Sequence, residues 1–473
     1  MGPDHVENVA GGGIVSHYHE FLSKKLITTM PSGFTPSAMP GQLYPYQSDL
    51  ATWACKRGKA ALFTMTGTGK TMMQSAWADA VQSETSGNIL ILAPLAVAKQ
   101  TVREAAKIGV AVNYCRHAGE VKRGINITNY EMLHHFDGCD WSGIVLDESS
   151  ILKAFNGKTR NQIIEYSNRI PYRLACTATP APNDFMELGN HAEFLGIMSF
   201  TEMLATFFVH DGGETSKWRL KGHAEQKFWE WMASWGVFLT KPSDLGYSDA
   251  GFELPPLRTF QHVVESEASE GALFAFEAKG LQERQAARRE SIERRCEKAA
   301  EIVEQHRNDG PFMLWCDLNS ESELLTKMIP GAVEVKGSDK PEHKESAMLD
   351  FADGNIPVLV SKPSICGFGM NWQVCHNTAF VGLSDSFEAV FQATKRFHRH
   401  GQKHAVNRHL IISEAEGSVL QNIQRKESEF MQMIGEMVKH TAKISMDNIK
   451  QTHSEKIQYN ASQDMTIPAW LGA

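Results

Sequence analysis

The 473-residue chain is too long for one ordinary core, so two or three domains are expected. Its 42% hydrophobic and 22% charged residues are those of a globular protein, and no apolar run reaches the roughly 18 residues of a membrane span. A net charge of −8 means that a polyanionic partner would need a local basic cleft rather than overall attraction.

The eight cysteines are scattered without a C-x-x-C pair, which reads as reduced core thiols of a cytoplasmic protein with no zinc site. Residues 1–10 are acidic and no apolar core follows them, so no secretory signal is expected. Residues 1–40 carry three consecutive glycines, a short possible helix at 17–27 and a Pro/Gly stretch, and read as a leader. A helical pattern opens at Leu43-Tyr44-Pro45-Tyr46-Gln47. Tyr46 and Gln47, shortly before a glycine turn, suit an adenine site in which a ring stacks the base and an amide reads its edge.

The glycine turn is the centre of the chain. Ala60-Ala61-Leu62-Phe63 is strand-like, Thr66-Gly67-Thr68-Gly69-Lys70-Thr71 follows, and helical spacing resumes at Met72. Strand, glycine turn and helix start are the setting of a phosphate-binding loop: backbone N–H groups face an anion at a helix N-terminus. Lys70 is placed to reach the β- and γ-phosphates and the Thr71 hydroxyl to coordinate Mg²⁺.

Short apolar runs at 88–94, 110–114, 125–129, 143–146 and 172–176 then alternate with helical segments at 96–108 and 161–166. That alternation predicts a parallel sheet covered on both faces, with ligands beyond the carboxyl ends of its strands. Asp147-Glu148 follows one strand directly, and the pair can divide the work, Asp147 on the metal and Glu148 on the attacking water. Thr177 and Thr179 end another strand. Residues 184–247 are aromatic-rich with interleaved basic residues; the spacing 228, 231, 235, 238 favours a helical core over a base-stacking surface.

After Leu254-Pro255-Pro256 comes a charged helical stretch at 272–304, whose arginines read as a solvated face. A second alternating section has strand-like runs at 312–316, 333–335, 358–360, 378–383 and 407–412. The fold class expected is therefore α/β, two parallel-sheet lobes with a cleft between them and a helical insertion after the core of the first. The divisions are a leader (1–40), lobe one (41–258, insertion about 185–247), lobe two (259–450, opening on the charged helix) and a polar tail (451–473). Gln392, Arg396 and Arg399 share one helix face, and paired arginines are the fixed, planar donors that a phosphoryl group in transfer needs.

In order, GTGKT, DESS, TATP and QATKRFHRHGQ resemble the motifs of the superfamily-two helicase/translocase motor, and the last is similar to the Q-x-x-x-R-x-x-R-x-G-Q ending of its Swi/Snf-type branch. DESS stands where that family usually has DEAH or DEGH, TATP where it has TGTP, and Thr64 where the loop usually has glycine. The phrases PLAVAKQT, LDESSILK and TATPAPND look most like compact bacteriophage-encoded members. The resemblance implies that the two lobes are RecA-like with an interlobe ATP cleft, in a nucleic-acid-dependent ATPase using ATP and Mg²⁺, in the host cytoplasm if phage-encoded. Its implied partner is double-stranded or branched DNA, with a protein partner possible and no membrane. Thr66, Gly67, Thr68, Gly69 and Gly369 would approach the nucleotide, Arg396 and Arg399 would act as fingers, and Gln392 would position the γ-phosphate or water. Pro94, Thr128, Asn129, Ser361 and Lys362 would grip a nucleic-acid backbone, with Thr177 and Thr179 coupling the two sites. Two other classes stay open: the motor subunit of a restriction or defence assembly, and a nucleotide-gated DNA clamp.

Overall fold

The computed structural model describes residues 29–153, 157–210, 218–265, 289–367, 370–384 and 386–450. The helix expected at 17–27, the early part of the charged helix, Gly369 and the tail from 451 lie outside them.

Helix α1 (Pro45–Arg57) begins with proline at its first turn and stops on Gly58, whose φ of 75° suits only glycine readily. Then follow β1 (Lys59–Thr64), α2 (Lys70–Thr85), β2 (Ile89–Ala93), α3 (Leu95–Lys107), β3 (Val112–Tyr114), β4 (Ile125–Asn129), β5 (Gly143–Asp147), α4 (Lys158–Ser167) and β6 (Tyr172–Thr177). The insertion supplies α5 (Leu188–Leu195), α6 (Phe200–Phe207), an antiparallel hairpin of β7 (Phe208–His210) and β8 (Trp218–Leu220), and α7 (Glu225–Ala233). It closes on β9 (Gly236–Leu239), which lies parallel beside β1. The first sheet is wholly parallel in the order β3-β4-β2-β5-β6-β1-β9, and β2 and β5 are buried at every residue, as their unbroken apolar runs require.

Phe228, Trp229 and Trp231 on α7 are at most 2% exposed, so the aromatic segment is core. Trp235 and Phe238 continue that core but from a turn and from β9, so helical spacing ends at residue 233.

The second lobe runs β10 (Leu257–Val264), α8 (Ile292–Gln305), β11 (Phe312–Trp315), α9 (Asn319–Met328), β12 (Ala332–Val335), α10 (Pro341–Ala352), β13 (Val358–Ser361), α11 (Pro363–Cys366), β14 (Asn377–Phe380), α12 (Phe387–Thr394), β15 (Val406–Ser413) and α13 (Gly417–Lys450). Its sheet is again parallel, in the order β10-β15-β14-β11-β13-β12. Edge strand β10 is not among the expected strands: it is largely exposed, so no apolar run marks it. On α8, Arg295 is fully buried, 2.6 Å from Glu321 on α9, instead of lying on a solvated face. Its partner sits on another helix, outside the reach of i,i+4 reasoning.

Two RecA-like lobes thus face each other, with α13 packed against both. Phe430 of α13 packs on Phe387 and Phe391 of α12, with ring centroids 5.4 and 5.2 Å away. Farther along, the His440 ring stacks on Trp229 of the first lobe at 5.3 Å, and Asn448 Nδ2 donates to the Ala233 carbonyl at 3.5 Å. Among the described residues no helix is long and apolar enough to cross a membrane. All eight cysteines are free thiols.

Candidate nucleotide site and interlobe cleft

The carboxyl ends of β1, β5 and β6 lie on one edge of the first sheet, because parallel strands place every strand end on the same side. The loop after β1 depends on two glycines. Gly67 has φ 92° and a Cβ there would stand 2.6 Å from the backbone nitrogen of His400 in lobe two; at Gly69, with φ 84°, it would stand 2.2 Å from Gln47 Nε2. Lys70 opens α2 and donates from Nζ to the Thr64 carbonyl at 2.9 Å. Burial lowers its pKa, opposed by the charges of Glu148 and Asp147.

Tyr46 and Gln47 brace this loop. The Tyr46 hydroxyl donates to the Thr68 carbonyl at 2.7 Å and Gln47 Nε2 to the same oxygen at 3.0 Å, while Gln47 Oε1 accepts from Tyr44 N–H at 3.1 Å. Gln47 also lines the cavity beside the loop, but Tyr46 and Thr68 do not; the rings there are Tyr44, Phe252 and His400. Phe252 stacks on His400 with centroids 4.5 Å apart.

At the end of β5, Asp147 is 3% exposed and accepts from Glu148 N–H at 3.1 Å. Its pKa is raised to about 6, first by burial and then by Glu148. The buried Gln74 amide on α2 favours the carboxylate form without meeting full hydrogen-bond geometry. Glu148 adopts φ 54°, a left-handed conformation that costs a non-glycine residue about 1–3 kcal/mol. Its Oε2 is buried without a hydrogen-bond partner.

Lobe two contributes the other wall. Arg396 is 1% exposed and donates from Nε to the Gln392 carbonyl at 3.0 Å and from Nη2 to Gln392 Oε1 at 3.3 Å. Arg399 Nη1 reaches the Met370 carbonyl at 3.4 Å, and its Nε has no partner. Burial, with the charge of Arg396 adding to it, brings the Arg399 pKa down to about 9. One cavity of about 240 Å³ collects Thr66, Gly67, Gly69, Lys70, Thr71, Asp147 and Glu148 from lobe one and Arg396 and Arg399 from lobe two.

Gln392 does not line that cavity. Fully buried, it donates from Nε2 to Thr179 Oγ1 across the cleft at 3.1 Å. Thr177 Oγ1 in turn accepts from Thr179 N–H at 3.1 Å, so Thr179 stands at the lobe contact with Thr177 bonded behind it.

The backbone-gripping candidates are less assembled. Pro94 lines a second interlobe cavity of about 510 Å³, with Ser150, Lys153, Lys344 and Ser364. Lys153 pairs there with Glu388, and Lys99 with Glu345, each pair crossing the cleft. Thr128, Asn129 and Ser361 are at most 4% exposed, Ser361 Oγ donates to the Val335 carbonyl at 2.8 Å, and neither they nor Lys362 line either cavity.

Gln74, Tyr130 and Phe252 escape sequence reasoning. Tyr130 donates from its hydroxyl to the Asp147 carbonyl at 2.6 Å, and no local pattern signals that contact. Among the described residues no group of three or more His, Cys, Asp or Glu is placed to hold a metal ion. Mg²⁺ bound with a nucleotide needs only one or two protein ligands beside phosphate oxygens, and Thr71 with Asp147 fits that need.

Residues 46–211 match the family model of the SNF2-related domain, so most of the first lobe is similar to that domain. No curated protein matches the chain. Among solved structures, the SWI2/SNF2 ATPase core of Sulfolobus solfataricus in complex with dsDNA is similar at 18% identity and a TM-score of 0.41, covering 88% of this chain and 98% of that one.

Proposed function

We propose that the protein is a nucleic-acid-dependent ATPase that couples ATP hydrolysis to movement along, or remodelling of, DNA. The observation that carries the reading is the meeting of Lys70, Asp147 and Glu148 with Arg396 and Arg399 around one cavity between two lobes. The match of residues 46–211 to the SNF2-related domain supports it.

In this reading Lys70 leaves the Thr64 carbonyl for the β- and γ-phosphates, which restore the counter-charge that burial denies it. Thr71 and Asp147 hold Mg²⁺, which supplies charge neutralisation of the phosphate oxygens. Glu148 Oε2, buried and unpartnered, accepts the proton of the attacking water. Arg396 and Arg399 take up the charge spread over the γ-phosphoryl group in the transition state. Gln392 acts through the bond to Thr179, registering closure, rather than on the phosphate. Tyr44, Phe252 and His400 supply the apolar wall for the base, and Gln47 its edge.

Pro94, Lys153 and Lys344 around the second cavity offer the strand-facing contacts, and DNA in double-stranded or branched form is the partner. A phage-encoded enzyme of DNA replication, recombination or repair rests on the motif phrases alone.

The test is steady-state ATPase with no nucleic acid, single-stranded, duplex and branched DNA, and RNA, beside Lys70→Ala. Stimulation by duplex or branched DNA that the variant loses is expected. Stimulation by RNA or single strands alone would replace DNA translocation with conventional helicase activity. No stimulation by any of them would favour the motor subunit of a larger assembly.

A further inference from the structure

Glu148 holds its left-handed backbone in the middle of a chain segment with few local restraints: its own N–H meets Asp147 Oδ1, and its carbonyl accepts from Ile151 N–H at 3.3 Å. The short turn that follows (Ser149–Lys153) is gripped from the outside by α5. Ser149 Oγ lies 3.1 Å from His191 Nε2, with both residues fully buried, and Asn190 Nδ2 donates to the Lys153 carbonyl at 3.3 Å. The His191 ring meets Phe63 of β1 edge-on, with centroids 5.0 Å apart. It therefore stands between the strand that leads into the glycine loop and the residue after Glu148. Burial pulls its pKa down to about 4, so the ring is a neutral hydrogen-bonding group at ordinary pH.

We propose that His191 is a positioning residue which, through Ser149, holds the Glu148 carboxylate on the nucleotide cavity. The proposal rests on the reading of Glu148 as the base that receives the proton of the attacking water. Two consecutive side chains of one helix, Asn190 and His191, fasten the two ends of the turn, and a hydroxyl at 149 is what lets His191 do so. With the tie gone, Glu148 relaxes toward ordinary backbone angles and its carboxylate drifts from the water it must meet. Misplacement of a catalytic group by about 1 Å costs on the order of 100-fold in rate.

The experiment compares Ser149→Ala, His191→Leu, the double variant and His191→Gln, measuring kcat, binding of a fluorescent ATP analogue and thermal melting on the full chain. Ser149→Ala is expected to lower kcat about 10-fold or more with nucleotide affinity changed less than about twofold. The double variant should be no slower than either single one, since both cut the same tie. His191→Gln, whose amide still reaches the hydroxyl, should keep at least about half the parental kcat, which a purely space-filling role would not require. If His191→Leu fails to fold, Ser149→Ala and His191→Gln decide the matter. Parental kcat in Ser149→Ala, or losses that multiply in the double variant, would overturn the proposal. Glu148→Gln is run beside them: parental turnover there would remove the base itself, whereas its loss alongside an unimpaired Ser149→Ala would leave the base and remove only the tie.

Discussion

Gln392→Ala is the most telling perturbation of the cleft, because one side chain serves both lobes. It removes a neutral hydrogen bond to Thr179 Oγ1 and the Oε1 acceptor of Arg396 Nη2. A neutral bond is worth about 1 kcal/mol net, and one to a charged group about 1.5–3 kcal/mol. The first crosses the cleft, so in a cycle of opening and closing it would favour closure by about fivefold. The second leaves a buried guanidinium short of an acceptor beside the γ-phosphate position, so its aim suffers as well. Turnover at saturating ATP and DNA should fall about 10- to 100-fold, while ATP binding, dominated by the glycine loop, changes less than about threefold. Thr179→Val keeps the shape and deletes only the hydroxyl, leaving Gln392 Nε2 buried without an acceptor, a cost of about 1–3 kcal/mol to closure. The assay is a double-variant cycle in kcat on these two positions. Parental kcat in Thr179→Val would show that the bond does not report on the active state, and the reasoning would fail there.

Arg399→Ala should spare ATP binding and reduce turnover about 10³-fold, measured by single-turnover hydrolysis; normal turnover would end the finger role. Glu148→Gln should trap ATP unhydrolysed, seen as retained nucleotide after rapid gel filtration, and parental hydrolysis would count against it. Asp147 has a folded pKa raised from 3.8 to about 6, so its charge opposes folding, a cost absent below about pH 4, growing through pH 6 and constant above. Asp147→Asn should therefore stabilise the nucleotide-free protein by about 1–3 kcal/mol at pH 8 and less as pH falls, while abolishing hydrolysis. Melting curves that show no gain at pH 8 would contradict this. Binding to DNA should weaken steeply with salt, about 100-fold between 50 and 200 mM if about four phosphates are neutralised, and a salt-independent affinity would argue against backbone tracking.

What sequence makes legible here is what is local. Strand, glycine turn and helix start lie within a dozen residues of one another, so the loop around Lys70 and its helix could be read directly. Buried parallel strands announce themselves as unbroken apolar runs, which is why β2, β5 and β6 were visible while exposed β10 was not. Helical spacing put Gln392, Arg396 and Arg399 on one helix face, but α12 ends at Thr394 and both arginines stand on the turn after it, where the 3.0 Å bond from Arg396 Nε to the Gln392 carbonyl ties that turn back to the helix. No spacing rule links Gln392 to Thr179, Ser149 to His191 or Trp229 to His440, because each pair is made by tertiary packing between distant elements. The side chains that line the cleft were therefore readable, and the contacts that fix them in place and join the lobes were not.

The charges in the cleft explain why closure would depend on nucleotide. Three cations, Lys70, Arg396 and Arg399, face two carboxylates, Asp147 and Glu148, in one cavity. Burial lowers the pKa of all three cations, which is the thermodynamic statement that each has lost more hydration than its neighbours return. The same burial pushes Asp147 toward neutrality, which weakens the compensation further. A triphosphate is the missing counter-charge: it would be held most tightly when all three cations converge, so its binding energy favours the closed lobes. On the proposed reading, hydrolysis and phosphate loss would return the two arginines to a deficit of negative charge, and separation of the lobes would restore their hydration. The Gln392–Thr179 bond is too weak, at about 1 kcal/mol, to hold the cleft against that deficit alone. On this account α13 is what would keep an open state from becoming two separate bodies, since its contacts to Trp229 and Ala233 involve neither arginine and need not break when the cleft does.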